Sequence, residues 1–185
     1  MASGPITIGA DLGTTGCRVC AVRGAEECLA SAAVAYEPDR PAPGRVEQDP
    51  EVWWRAFCEA AGRVAGELGE PPRALCICGQ STAVVPTDPD LRPIRRAILW
   101  QDVRNAPQCE EIERIFGAGP ARDVIGWPVC TFLAWPKLLW LIEHEPETVR
   151  RARWLLQTTN FVTARLTGEV VLDRANVTGY PMDVR

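Results

Sequence analysis

The sequence predicts a mixed α/β domain, and three observations carry that prediction. An apolar meander opens the chain, an alternation of helix and strand follows it, and 46% hydrophobic residues with seven tryptophans suffice for a sizeable core. At 185 residues the chain is either one large domain or part of something larger.

The meander begins at Ile6, where period-two alternation runs to Asp11 and Leu12. Gly13-Thr14-Thr15-Gly16 then turns the chain, and a second strand leaves through Cys17 and Val19 to Arg23. Residues 28–35 form a third strand, and a loop with three prolines follows. Asp49-Pro50-Glu51 is a helix start, with Asp49 as N-cap and Pro50 at the first helical position. Trp53, Phe57, Ala60, Val64 and Leu68 make one apolar stripe, and Gly69 with Pro71-Pro72 ends it. The apolar run 74–78 has the character of a central strand buried on both faces. It delivers Gly79-Gln80-Ser81-Thr82 at its carboxyl end, where open α/β sheets place ligands.

Short strands are expected over 83–88 and 94–99, the latter ending in Trp100-Gln101-Asp102-Val103-Arg104. Residues 105–116 read as a helix with Cys109, Ile112 and Phe116 inward, and 122–132 as irregular chain. Pro136 opens a helix burying Leu138, Leu139 and Ile142 until Pro146 interrupts it. Residues 154–156 are short and apolar, 160–167 are helical with Gly168 as stop, and 170–172 make a last strand.

The first turn has the parts of a phosphate clamp. Gly13 and Gly16 can take positive φ and admit a close backbone or ligand. Thr14, Thr15 and the turn's N–H groups supply donors, and such concavities bind phosphate oxygens. Asp11 at its mouth suits a water or Mg²⁺. No Gly-Lys-Ser/Thr ending follows, so this is not a P-loop.

Net charge −4 and a pI near 5.2 argue against a nucleic-acid partner. The apolar runs fall short of a membrane span and the first five residues lack a leader's pattern, so a cytoplasmic protein is expected. The eight cysteines lack metal-ligand spacing and read as small core hydrophobes; His144 reads as surface.

Six segments, in order, give the chain a resemblance. They are Ile8-Gly9-Ala10-Asp11-Leu12-Gly13-Thr14-Thr15-Gly16; Val46-Glu47-Gln48-Asp49-Pro50 with Trp53-Trp54; Gly79-Gln80; Ala97-Ile98-Leu99-Trp100-Gln101-Asp102 with Arg104; Pro136-Lys137-Leu138-Leu139-Trp140-Leu141 with Glu145-Pro146-Glu147; and Arg165-Leu166-Thr167-Gly168-Glu169. In these the chain resembles the N-terminal domain of the FGGY carbohydrate kinases, xylulokinase-like members above all. That resemblance implies a ribonuclease H-like, actin-like ATPase fold, a mixed β-sheet with helices on both faces. It also implies transfer of the γ-phosphoryl group of ATP, with Mg²⁺, to a sugar or polyol hydroxyl, a pentulose such as xylulose being favoured.

In that frame Asp11 lies on the metal and phosphoryl side, with Mg²⁺ held through water, and Gly13, Thr14, Thr15 and Gly16 form the first phosphate loop. Gln80, Ser81, Thr82, Trp100, Gln101, Asp102, Arg104 and Phe132 are the implied substrate-binding residues. Ser81-Thr82 stands where xylulokinases typically carry Met-His and glycerol kinases Arg-Glu. The family's aspartate base and its C-terminal nucleotide-binding domain are expected to lie beyond Arg185, so residues 1–185 correspond to a sugar-binding domain truncated before its end and inactive alone. Its expected partners are the sugar or polyol and either that C-terminal domain or further copies of the chain. The alternative is a non-catalytic sugar-binding or interaction module derived from such a kinase.

Overall fold

The structure, a computed structural model, describes residues 4–24, 27–172 and 180. The chain divides into two compact units.

The first unit comprises the residues up to Pro38 together with Glu51–Gln80. Its sheet contains β1 (Ile6–Leu12), β2 (Gly16–Arg23), β3 (Glu27–Ala35) and, further along the chain, β5 (Ala74–Gly79). The strand order is β3-β2-β1-β5, with antiparallel pairing through the meander and a parallel β1–β5 pair. Between β3 and β5 lies helix α1 (Pro50–Gly66). Ile6, Ile8, Ala10 and Leu12 alternate onto the buried face of β1, and Trp53, Phe57, Ala60 and Val64 bury the stripe of α1. Helix α1 stops at Gly66, three residues before the expected Gly69.

The other face of this sheet is open. Asp11, Arg18, Cys20, Ser31, Cys76 and Cys78 are among the residues that line a concavity of about 500 Å³ there. Strand β5 exposes Cys76 and Cys78 on that open face and Leu75 on the face it shares with Ile8, contrary to the expectation of burial on both faces. It is the last strand of the described sheet, with β1 on one side only. The cysteines divide in the same way. Cys17 is a buried core residue, whereas Cys28, Cys58, Cys76 and Cys78 are exposed.

The second unit comprises Asp39–Pro50 and the residues from Ser81 onward. Two short ladders organise it. β4 (Glu47–Gln48) pairs with β7 (Ala97–Ile98), and β6 (Val85–Thr87) pairs with β8 (Trp154–Leu156), both antiparallel. The strand expected over 94–99 thus shrinks to two residues, and the β4 segment was not anticipated. Helices α2 (Ala106–Phe116), α3 (Ala118–Ile125), α4 (Ala134–His144), α5 (Pro146–Arg151) and α6 (Thr158–Thr167) complete the unit.

Residues 118–125 are helical where the chain was read as irregular from 122. Pro120 falls in the first turn, where a missing N–H costs nothing, and Gly126 closes the helix in the left-handed conformation. Phe116 is 54% exposed, against Trp135 at 5.5 Å between ring centroids. Helix α4 buries Lys137, Trp140 and Leu141, while Ile142 is exposed and Leu138 and Leu139 are only half-buried. Val84, Ile98, Ala134, Trp140 and Leu141 form a core cluster, so Trp140 rather than the leucine pair sets the inward face. Residues 170–172 form no strand; the carbonyl of Val171 instead accepts the side-chain amide of Asn160 at 2.9 Å. No helix among the described residues is long and apolar enough to cross a membrane.

Candidate functional site

The first unit carries the hairpin turn. In the β1–β2 register Asp11 lies opposite Arg18, and in the β1–β5 register it lies opposite Cys78, so it stands on the open face. Among the described residues no donor or cation meets its carboxylate; it acts on its neighbours only through its charge. Burial first, then Asp11, pushes the Cys17 thiol up to about 11. Cys78 is raised by the same two causes in the same order, helped by Cys76, which keeps this exposed thiol protonated and a poor nucleophile.

The turn is tied from several sides. Gly13 N–H donates to the Gly16 carbonyl at 2.9 Å, Tyr36 N–H donates to Thr15 O at 3.1 Å, and the Tyr36 hydroxyl donates to Gly13 O at 2.8 Å. Neither Gly13 nor Gly16 adopts positive φ, contrary to expectation. Space is what demands glycine: a Cβ would lie 3.2 Å from Gly16 O at position 13 and 3.1 Å from Val34 O at position 16. The same holds more severely for Gly79, where a Cβ would lie 2.5 Å from Leu12 O. The Thr14 hydroxyl reaches Gln80 Oε1 at 3.3 Å, and Gln80 N–H donates to Leu12 O at 2.8 Å. Thr15 is exposed at the tip. A carboxylate without a protein partner, next to an exposed hydroxyl and a tight turn, suits Mg²⁺ that keeps most of its waters. No group of three or more His, Cys, Asp or Glu that could hold a metal occurs among the described residues.

The second unit carries the other predicted residues, and it treats them unequally. Trp100 is 37% exposed and meets Phe132 edge-on at 6.2 Å. Gln101 is half-buried, and its Oε1 is buried without a hydrogen-bond partner. Asp102 is fully buried. Its carboxylate accepts Val46 N–H at 2.6 Å, Arg104 N–H at 3.0 Å, Arg104 Nε at 2.9 Å and Arg104 Nη2 at 2.7 Å. Arg104 also pairs with Glu47 at 2.7 Å and lies over the Trp140 ring at 4.9 Å. Burial pulls the Arg104 pKa down, but the bonds and charges of Asp102 and Glu47 outweigh it and raise it. Arg95 extends the network to Glu47 and, at 2.8 Å, to Glu145. The bonds of Asp102 and Arg104 thus run to the 44–48 segment and to one another, with the Asp102 carboxylate buried among them.

Ser81 and Thr82 differ in the same sense. Thr82 is buried, its hydroxyl donates to Ser81 O at 2.8 Å, and its N–H donates to Gln157 Oε1 at 2.8 Å. Its φ of 56° is an unusual conformation for a β-branched residue. Ser81 itself is half-buried.

Two residues that organise these positions were not singled out from the sequence. Gln157 is fully buried and holds the strained Thr82 amide. Lys137 is fully buried on the inward face of α4. A lysine three residues before a core tryptophan is a charge at a core position, and that pattern is the signal that would have found it.

Comparison with known proteins now bears on the chain. Residues 6–183 match the FGGY family of carbohydrate kinases, N-terminal domain. A xylulose kinase of Streptomyces rubiginosus is 36% identical over 179 residues, which cover 96% of this chain and 37% of that protein. The xylulose kinase of Escherichia coli strain K12 is 34% identical over 93% of this chain and 35% of its own length. Among solved structures, a xylulose kinase from Rhodospirillum rubrum superposes with a TM-score of 0.92 at 27% identity, over 97% of this chain and 38% of that one. Plasmodium falciparum glycerol kinase, solved with ADP, gives 0.88 at 20% identity over 100% of this chain and 39% of that one, a likeness of fold alone. The chain spans little more than a third of the length of these relatives. By the family match over nearly its whole length, and by its fold, the chain belongs to the FGGY family of carbohydrate kinases and corresponds to their N-terminal domain.

Proposed function

We propose that the chain is the sugar-binding part of a kinase that transfers the γ-phosphoryl group of ATP to a sugar hydroxyl, with a pentulose such as D-xylulose as acceptor. The named xylulose kinases that are 36% and 34% identical support that substrate class. The observation that carries the chemistry is Asp11, a carboxylate that the described residues leave without a partner beside a turn built for close approach.

Bound Mg²⁺–ATP would supply the transferable phosphoryl group and neutralise its charge. Asp11 would hold the metal through water, while Thr15 and the backbone of Thr14 and Gly16 would donate to phosphate oxygens, and Gly13, whose N–H is held by the Gly16 carbonyl, would keep the turn in shape. In the second unit Trp100 and Phe132 would form the apolar wall against a sugar face, and Ser81 and Gln101 would supply hydrogen bonds that select its hydroxyls. Gln80 would steady the turn through Thr14, and Asp102, Arg104 and Thr82 would act through the backbone they fix. General-base chemistry needs an aspartate close to the acceptor hydroxyl, and we assign that role to a part of the family's chain outside these 185 residues, not to Asp11. A cytoplasmic location accords with the use of ATP.

The test is calorimetry of D-xylulose, D-gluconate and glycerol with the purified chain. D-xylulose is expected to bind, and Trp100→Ala is expected to weaken it about tenfold, the scale of one aromatic contact. Binding of none of the three, or an unchanged affinity in Trp100→Ala, would remove the wall from the reading. D-xylulose phosphorylation by the chain alone, abolished in Asp11→Ala, would overturn the assignment of the base elsewhere.

A further inference from the structure

We propose that Lys137 is a positioning residue for the Trp100–Phe132 wall, its ammonium group gathering the three successive carbonyls that carry Phe132. The inference rests on the reading of that wall as the sugar-facing surface. Lys137 Nζ donates to Thr131 O at 2.6 Å, Phe132 O at 2.8 Å and Leu133 O at 3.2 Å. These bonds use all three of its N–H donors. Asn105 Nδ2 adds a second donor to Thr131 O at 3.2 Å, and Leu133 N–H donates to Cys130 O at 3.1 Å.

Three carbonyls pointing at one point repel one another, and a buried cation is what makes their convergence favourable. The side chain is fully buried, so water does not compete for the carbonyls. Phe132, whose backbone is held on both sides by this arrangement, meets Trp100 edge-on. Trp100 in turn sits on the tight turn in which Asp102 N–H donates to Leu99 O at 3.1 Å. One end of the aromatic pair is thus fixed by the Asp102 network and the other by Lys137.

The groups that face Lys137 are Asp102 from the 99–102 turn, Cys109 from α2 and Cys130 from the segment before α4. Burial pushes its pKa down to about 7, against the opposing pull of Asp102 and the two thiols. Loss of the proton leaves two N–H donors for three carbonyls, so the tether loosens as pH rises through that value. The same depression has a sign for stability. Between about 7 and the ordinary 10.5 the unfolded chain binds more protons at this site, so its contribution to stability rises with pH there.

Lys137→Met keeps the stem and removes every donor. In the purified chain, amide hydrogen exchange over 130–133 is expected to quicken at least tenfold while that of β1 is unchanged, and the Trp100 indole resonance, identified with Trp100→Phe, is expected to shift. D-xylulose affinity should fall about tenfold, with no further loss when Trp100→Ala is added. Unchanged exchange and an unshifted indole would overturn the proposal. If the wild-type chain does not bind D-xylulose, the sugar reading fails, yet the exchange and the indole signal still decide the role of Lys137. If Lys137→Met does not fold, Lys137→Gln, which keeps two N–H donors, decides instead: faster exchange over 130–133 with a shifted Trp100 indole supports the tether, and both unchanged overturn it.

Discussion

Asp11 and Asp102 are both aspartates at the end of an apolar β-segment, and the two units use them in opposite ways. Asp102 is fully buried and accepts four hydrogen bonds, three of them from one arginine that is itself paired with Glu47. Asp11 lies on the open face of a sheet, and its charge raises neighbouring thiols instead of being neutralised. A carboxylate that the fold has satisfied is scaffold, and one that the fold leaves unsatisfied is available to a ligand. The difference is one of surroundings, since the residue type is the same.

The largest effect should come from Asp102. Asp102→Asn leaves Glu47 as the one carboxylate paired with buried Arg104 and sets an amide N–H against the Val46 or Arg104 donors, at a cost of about 3 kcal/mol in urea unfolding. A loss below 1 kcal/mol would show that the network is not what holds the 44–48 segment. Next comes the strained turn. Gln157→Leu orphans the buried Thr82 amide and should cost about 1–3 kcal/mol. Thr82→Gly relieves the positive φ, and its release of strain of about 1 kcal/mol offsets the hydroxyl bond it removes, leaving stability nearly unchanged. A Thr82→Gly variant destabilised as much as Gln157→Leu would place the importance of the site in the hydroxyl. The smallest effect on stability belongs to Asp11→Asn, within about 0.5 kcal/mol, because nothing in the described structure depends on its charge. The same variant should lose Mg²⁺-dependent phosphoryl transfer when tested in a full-length family member. A large destabilisation would mean that Asp11 is scaffold after all, and the contrast between the two aspartates would collapse.

Much of the architecture was legible where local rules act alone. The alternation from Ile6 to Arg23 gave the hairpin, Pro50 gave the start of α1, and Gly168 gave the end of α6 through a left-handed cap. The failures share one cause. Helix α3 departs from the expectation of irregular chain from 122; it carries Gly119 and Pro120 in its first turn, which tolerates both. The inward face of α4 was misassigned because leucines were preferred over a lysine. The carbonyls that make Lys137 a core residue come from three residues outside its helix periodicity. Strand β5 was given two buried faces because its composition is that of a central strand, yet burial depends on which elements lie against it.

The candidate site divides along the same line. The sequence by itself determined the family, through six short segments in order, and the hairpin with its carboxylate and glycines and the aromatic at position 100, because each segment is a run of residues adjacent along the chain. Only the tertiary structure decided that Gly13 and Gly16 are required by space rather than by φ, and that Thr82 is buried while Ser81 is half-buried. It also decided that Asp102 serves Arg104 and Val46. Those distinctions depend on partners up to 75 residues away in sequence, and a hydrogen bond acquires its meaning from the partner.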